Sequence, residues 1–349
     1  MHIIKPSFGI LMTAILLFAP YSFSQSHEAK RVFILHSYEN NHVCGKPQSM
    51  GVQRALLQAG YGIDDLVLAS YAMDSKRKNN TPDLLAEQAE IALKKILEFK
   101  PDVLVTLDDN AFRTVGLKLV NTDIQIVFSG MNNIPERYNE ITKWMNTTNN
   151  PGYNITGVYE KIHFATAVKV QKNIQPGMKK ILIISDNSPT GKALIRQVRM
   201  ELDNDNIPVK PEFYITDSWE DYQQKIDEIN KSDIDTLYPI ALRLHDKSGK
   251  TYTGAEILKW TGEHSKKPSI PLNFAFVKLG LLGGAGVDFE SMGKQAGNLV
   301  VKILSGETAA TIPIEEAERY ALVFNLKRAK KLGIEIPTDI LMAADEVYK

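Results

Sequence analysis

A single cysteine, Cys44, occurs in the 349 residues, which excludes an internal disulfide and a cysteine-based metal site. An excess of one charge is missing too: 41 basic residues balance 41 acidic ones, and no dense Lys/Arg run occurs. Polyanion binding and strong electrostatic steering are therefore not indicated, and nucleic acid is not an expected partner. The chain has no apolar run of the ~20 residues needed to span a bilayer. Catalytic signatures are equally scarce. There is no Gly-x-Ser-x-Gly elbow, and Gly283-Gly284-Ala285-Gly286 lacks both the end of a phosphate loop and the spacing of a dinucleotide site. No dense acidic loop supplies the converging oxygens a hard cation requires, so neither a metal nor a cofactor is expected.

What is present is an ordinary globular composition, 44% hydrophobic, at a length that favours two domains over one. Residues 1–24 read as an export signal: Lys5 is the basic start, Phe8 to Ala19 the short apolar stretch, and Ser22-Phe23-Ser24 the small residues before a cut near Gln25. An uncleaved anchor is the rival reading. Cys44 lies too far downstream to carry a lipid at the cut, so a soluble exported protein is expected.

Two similar openings lie about half a chain apart, each an apolar strand running into polar residues. The first is Arg31 to Leu35 followed by His36-Ser37-Tyr38, the second Lys180 to Ile184 followed by Ser185-Asp186-Asn187. In the first half, runs rich in Val, Ile and Leu predict strands at 32–35, 66–71, 103–107 and 124–128, alternating with helices, the signature of a parallel sheet covered on both faces. Thr81-Pro82 supplies a helix start and Lys100-Pro101 its stop. A polar stretch, Asn146 to Asn154, marks a loop or boundary. Beyond it, strands are expected at 155–159, 181–185, 212–216, 236–240 and 270–274, with helices near 163–174, 190–204, 218–231 and 254–265. The glycines at 283–286 suggest a flexible crossing, and the helix 289–304 is expected to return to the first lobe.

The tail carries the most specific pattern. Gly280 to Gly286, Val287-Asp288-Phe289, Gly293 to Ala296, Ile303 to Glu307, Ile312-Pro313, Val323 to Asn325 and Ala329 to Pro337 resemble, in order and spacing, the ABC transporter substrate-binding proteins with a type I periplasmic-binding fold. Asn154-Ile-Thr-Gly157-Val resembles the family's first strand after the lobe crossing. Leu35-His36-Ser37-Tyr38 and Tyr71 to Arg77 are similar to extracellular sensor domains of histidine kinases and cyclic-dinucleotide synthases, although His42-Val43-Cys44-Gly45 stands where many of these carry an aromatic residue. The resemblance implies an α/β chain of two doubly wound parallel-sheet lobes joined by a hinge: residues 28–154 with about 281–312, and residues 155–280 with about 313–349.

In an open parallel sheet, ligands sit beyond the carboxyl ends of the strands. That rule selects His36, Ser37, Tyr38, Glu39, Asp74 and Arg77, Asp108, Asp109, Asn110, Ser129, Gly130, Met131 and Asn132 from the first lobe. From the second it selects Tyr159, Glu160, Asp186, Asn187, Ser188, Tyr238, Arg243 and Asn273. The set suits a small polar or zwitterionic ligand, an ammonium meeting Asp or Glu and a carboxylate meeting helix N-termini. Tyr38, Tyr159 and Tyr238 either pack on an apolar part of the ligand or belong to the core. Asp108-Asp109 reads as a helix N-cap plus one ligand contact, and His163 as either surface or functional.

The resemblance implies a monomeric periplasmic protein that closes on a small molecule, such as an amino acid or aromatic acid, and delivers it to an ABC permease. The alternative is a sensing protein that reports to a membrane kinase or cyclase. An exported hydrolase using His36 and Ser37 ranks last, because adjacent side chains on a strand point to opposite faces.

Overall fold

The computed structural model describes residues 28–349; the expected export signal lies outside the described residues. The first half alternates β1 (Lys30–His36), α1 (Gly45–Gln58), β2 (Leu66–Ala72), α2 (Pro82–Phe99), β3 (Val103–Leu107), α3 (Asp108–Thr114), β4 (Gln125–Met131), α4 (Pro135–Asn139) and β5 (Ile155–Tyr159). The second runs through α5 (Phe164–Ile174), β6 (Lys180–Ser185), α6 (Pro189–Asn204), β7 (Lys210–Ile215), α7 (Trp219–Ile229), β8 (Thr236–Pro239), the ribbon β9 (Leu244–His245) and β10 (Thr251–Tyr252), and α8 (Gly254–His264). The tail holds β11 (Gly283–Val287), α9 (Phe289–Leu304), β12 (Glu315–Glu316), β13 (Tyr320–Asn325), α10 (Leu326–Leu332), α11 (Thr338–Met342) and β14 (Glu346–Tyr348).

A six-stranded parallel sheet in the order β12-β5-β4-β3-β1-β2 forms the first lobe. Period-two alternation sorts its side chains. Val32, Ile34, Val103, Val105 and Val127 join one cluster with Val52 and Leu56 of α1 and Leu299 and Val300 of α9. Phe33, Leu35, Leu104, Ile126 and Phe128 join another with Ala92 and Ile96 of α2 and Phe112 of α3. Burial on both faces is why these strands read as continuous apolar runs. The start of α2 is as expected: Thr81 Oγ1 accepts the Leu84 N–H at 3.3 Å, with Pro82 in the first turn.

The second lobe has a parallel set β7-β6-β8 and a set β11-β13-β14, linked by single-residue bridges at Ser269 and Asn273. Three sequence expectations change here. Ile270 to Phe274 is not a regular strand: Pro268 and Pro271 lack N–H donors, only isolated bridges form, and a 3₁₀ turn follows at Phe274–Leu279. Gly283 to Gly286 is not a flexible crossing but part of buried β11, paired antiparallel with β13. Gly283 has φ +121, and a Cβ there would fall 2.1 Å from the Val323 carbonyl, so glycine serves close strand approach. The pairing also moves the lobe boundaries. β5 bonds to β4 within the six-stranded sheet, so the chain leaves the first lobe after Tyr159 rather than after Asn154, and β11 belongs with the second lobe rather than the first.

Helix α9 returns to the first lobe as expected and packs along α1. Glycines permit this seam. A Cβ on Gly51 would stand 2.1 Å from the Glu290 carbonyl oxygen, and one on Gly293 2.1 Å from that of Gln48. Between the lobes the chain crosses three times, after β5, after β11 and between β12 and β13. His163, buried with a left-handed backbone (φ +54), lies on the first crossing beside Tyr320 on the third, at 5.4 Å between ring centres.

Candidate functional site

The carboxyl ends of β1, β2 and β3 are knotted together by Ser37. Its N–H and hydroxyl both donate to the Leu107 carbonyl (3.1 and 2.6 Å), and the hydroxyl accepts the Ala111 N–H of α3 at 2.7 Å. Its carbonyl accepts from the Ser75 N–H and hydroxyl, at 3.1 and 2.6 Å. Asn110 Nδ2 in turn donates to Ser75 Oγ at 2.9 Å. Ser37, not Asp108, therefore supplies the side-chain oxygen for the start of α3; Asp108 and Asp109 occupy its first turn, Asp108 with φ +64. The hydroxyl of Ser37 thus both donates and accepts within the knot.

Around this knot a carboxyl cluster forms. Asp108 is 4% exposed and Glu160 3%, while Asp109 is partly buried. Burial raises Asp108 to about 7, with Lys76 opposing the rise and Asp109 adding to it; burial likewise raises Asp109 to about 6. Glu160 is pushed up by burial and by the charges of Asp108 and Asp109. Asn132 joins two of them, its N–H facing Asp109 Oδ1 at 3.3 Å and its Nδ2 donating to Glu160 Oε2 at 2.9 Å. Gln48 of α1 donates to Asp108 Oδ1 (3.2 Å) and accepts from the Ser129 hydroxyl (2.8 Å). Gly130 makes room for it: φ is +80 at a register shift in β4, and a Cβ would lie 2.7 Å from Gln48 Oε1.

Tyr38 is buried here and its hydroxyl is raised by burial first, then by Asp108 and Asp109. Lys76 Nζ sits 3.7 Å over its ring and His42 packs at 4.4 Å between ring centres. Burial holds His36 neutral, lowering it to about 4, and with the neighbouring positive charges lowers His42 to about 2. Met131 is buried in the same apolar cluster as Phe112 and Phe128.

From the second lobe, Asn273 Nδ2 reaches Cys44 Sγ at 3.8 Å, Gln197 Nε2 of α6 donates to the Asn132 carbonyl at 2.7 Å, and Arg196 hydrogen-bonds Asn133. The lobes therefore meet directly over the carboxyl cluster. Tyr238 is wholly buried against Phe164, at 5.3 Å between ring centres, and its hydroxyl is raised by burial and by Glu201 and Glu160.

Several expected ligand residues have other partners. Asp186 Oδ1 accepts from the Ser188 N–H (3.1 Å) and hydroxyl (2.5 Å), and Ser188 caps α6 by accepting the Gly191 N–H at 3.0 Å. Asn187 is exposed and its N–H donates to Asp217. Asp74 and Arg77 pair at 2.9 Å on the surface, where Glu39 lies 3.7 Å from the same guanidinium. Half-buried Tyr159 is raised to about 12 by burial and Glu316, and Arg243 is also half-buried. Three residues that contact this cluster and that the loop rule did not select are Gln48, Lys76 and Gln197. Gln48 is a buried polar residue on a helix the rule did not consult; Lys76 lies within the Tyr71 to Arg77 motif, which was itself a signal.

The family model of the ABC transporter substrate-binding proteins matches residues 41–348. The chain belongs to that family. Among solved structures, this substrate-binding protein is similar to the ABC domain of Streptococcus pneumonia crystallised with L-Trp (TM-score 0.69, 18% identity, 92% of this chain and 100% of that one). It is also similar to a conserved domain protein of Vibrio cholerae (TM-score 0.67, 20% identity, 92% and 100%). These confirm the two-lobed α/β fold of type I periplasmic-binding proteins. A tyrosine-binding protein of Clostridioides difficile is 23% identical over 197 residues, 53% of this chain and 51% of that protein, so the match spans about half the length of that curated relative. Substrate-binding proteins of this family work outside the cytoplasm, and among the described residues no helix is long and apolar enough to cross a membrane. Nor does any cluster of three or more His, Cys, Asp or Glu able to hold a metal occur among them.

Proposed function

We propose that this substrate-binding protein captures a small primary amine, an amino acid in the first place, between its lobes and hands it to an ABC permease. One observation carries the ligand class. Buried Asp108 and Glu160 and partly buried Asp109 lie within one another's electrostatic reach, and each has its carboxyl raised by burial. Burying carboxylates together is costly unless a cation joins them, and a ligand ammonium would offset that cost on binding. The names of the relatives, one binding tyrosine and one crystallised with tryptophan, agree with an amino acid.

Capture would proceed by closure of the lobes about the three crossings, with Asn273 and Gln197 of the second lobe completing contacts to Cys44 and Asn132. Export by a cleaved signal and action as a monomer belong to the same reading. Calorimetric titration at pH 8 with L-tyrosine, L-tryptophan, L-leucine, L-lysine, tyramine and 3-(4-hydroxyphenyl)propionate tests it. Binding of at least one amine, with no binding of the deaminated acid, supports the reading. Preference for the acid, or silence from every amine, overturns it. Loss of uptake of the bound amine on deleting the gene would support delivery to a permease, and unchanged uptake would count against it.

A further inference from the structure

Among the buried polar atoms of the site that find no hydrogen-bond partner within the described protein, two face the same glycine. His36 Nδ1 and Asp108 Oδ2 belong to side chains 5% and 4% exposed. A Cβ placed on Gly45 would lie 3.4 Å from the first and 3.8 Å from the second. The direction of the Asp108 oxygen is set from behind, because Gln48 holds Oδ1 and is itself held by Ser129.

Nothing in the backbone asks for glycine at position 45. Its φ is not positive, and it stands at the start of α1, where most residues are better helix formers. What the missing side chain leaves unfilled is the position that faces both unsatisfied polar atoms. Buried groups of this kind carry a desolvation penalty until they are paired.

We infer that the face of Gly45, His36 Nδ1 and Asp108 Oδ2 form the seat for the ligand's ammonium group, which makes Gly45 a specificity residue for primary amines. The inference rests on the amine reading above and locates the amine within the site. An ammonium brings three donors, enough for the Asp108 oxygen and for the imidazole nitrogen acting as acceptor, with one left for a further contact. Burial keeps His36 neutral, so it does not oppose the ligand's charge. A hydroxyl, with one donor, leaves an acceptor unpaired. A fully methylated ammonium has no donor and needs more room.

The experiment uses two probes. In the first, the histidine side-chain nitrogen NMR signals of the protein are followed with methylammonium chloride and then with tetramethylammonium chloride. The His36 signals should move with methylammonium and stay with tetramethylammonium, and Gly45→Ala should abolish the movement. In the second, Gly45→Ala is titrated with whichever amine of the panel binds the wild type. Because the new methyl meets its neighbours at ordinary contact distance, the melting temperature should hold, while affinity should fall ~10–100-fold, the loss expected of charge-assisted hydrogen bonds. Wild-type affinity in Gly45→Ala together with unmoved His36 signals would overturn this seat and leave the amine reading standing. Equal responses to both ammonium ions would likewise overturn it. Failure of every amine to bind the wild type would overturn both.

Discussion

Ser37 ties the loops after three strands, and its removal separates scaffolding from recognition. Ser37→Ala should lower stability by ~1–3 kcal/mol, because the Ala111 N–H and the Leu107 carbonyl each lose a buried partner; denaturant unfolding measures it. Asp186→Ala should act similarly, costing ~1 kcal/mol through the start of α6 while leaving amine affinity within about twofold. The carboxyl cluster predicts a pH dependence whose sign can be worked out. Asp108 near 7 and Asp109 near 6 hold protons at pH 5, so an ammonium must displace them to bind. Affinity should therefore rise from pH 5 to about pH 7.5 and then level, and Asp108→Asn should flatten the upper part of the rise. Affinity that fell over this range would contradict a cationic ligand group. The carboxyl-end rule brought His36, Tyr38, Asp108, Asp109, Asn132 and Glu160 to one place from sequence alone. It could not tell that Ser37, Asp186 and Ser188 have their side chains engaged in local hydrogen bonds, since spending a side chain on a local cap leaves the same letters in the chain as leaving it free.

At the scale of elements, the seam between α1 and α9 depends on backbone contact. Gly293→Ala would drive a methyl into the Gln48 carbonyl, where no rotamer offers relief, and should destabilise the fold by ~3 kcal/mol or more. Thermal unfolding of this variant checks the size of the effect, and a shift in Gln48 would carry the damage into the site. Strand alternation and helix caps were legible because each depends on neighbours in sequence: Thr81-Pro82 opens α2, and Val32/Ile34 against Phe33/Leu35 marks a sheet covered twice. The glycines of β11 were not. Their role comes from how closely β13 approaches, and local composition alone reads them as flexibility.

For the whole molecule, Gln197, Arg196 and Asn273 supply side-chain hydrogen bonds between the lobes over the carboxyl cluster, and the proposed closure would use them. Gln197→Ala removes the hydrogen bond to the Asn132 carbonyl, and should weaken ligand affinity ~3–10-fold while costing the free protein ~1 kcal/mol. The loss should appear in the dissociation rate, measured by stopped flow, because the contact ties the two lobes together over the site that would hold the ligand. The α1–α9 seam also bears on the order in which the chain is made. Residues 45–58 must wait for residues 289–304 before one face of the first sheet is covered, and the whole second lobe is synthesised in between. Until then Val32, Ile34, Val103 and Val105 remain without half of their cover, so a nascent or half-translocated chain presents an apolar sheet face as a target for holding factors. A fragment ending near residue 160 should be unable to fold by itself, whatever the quality of its strands.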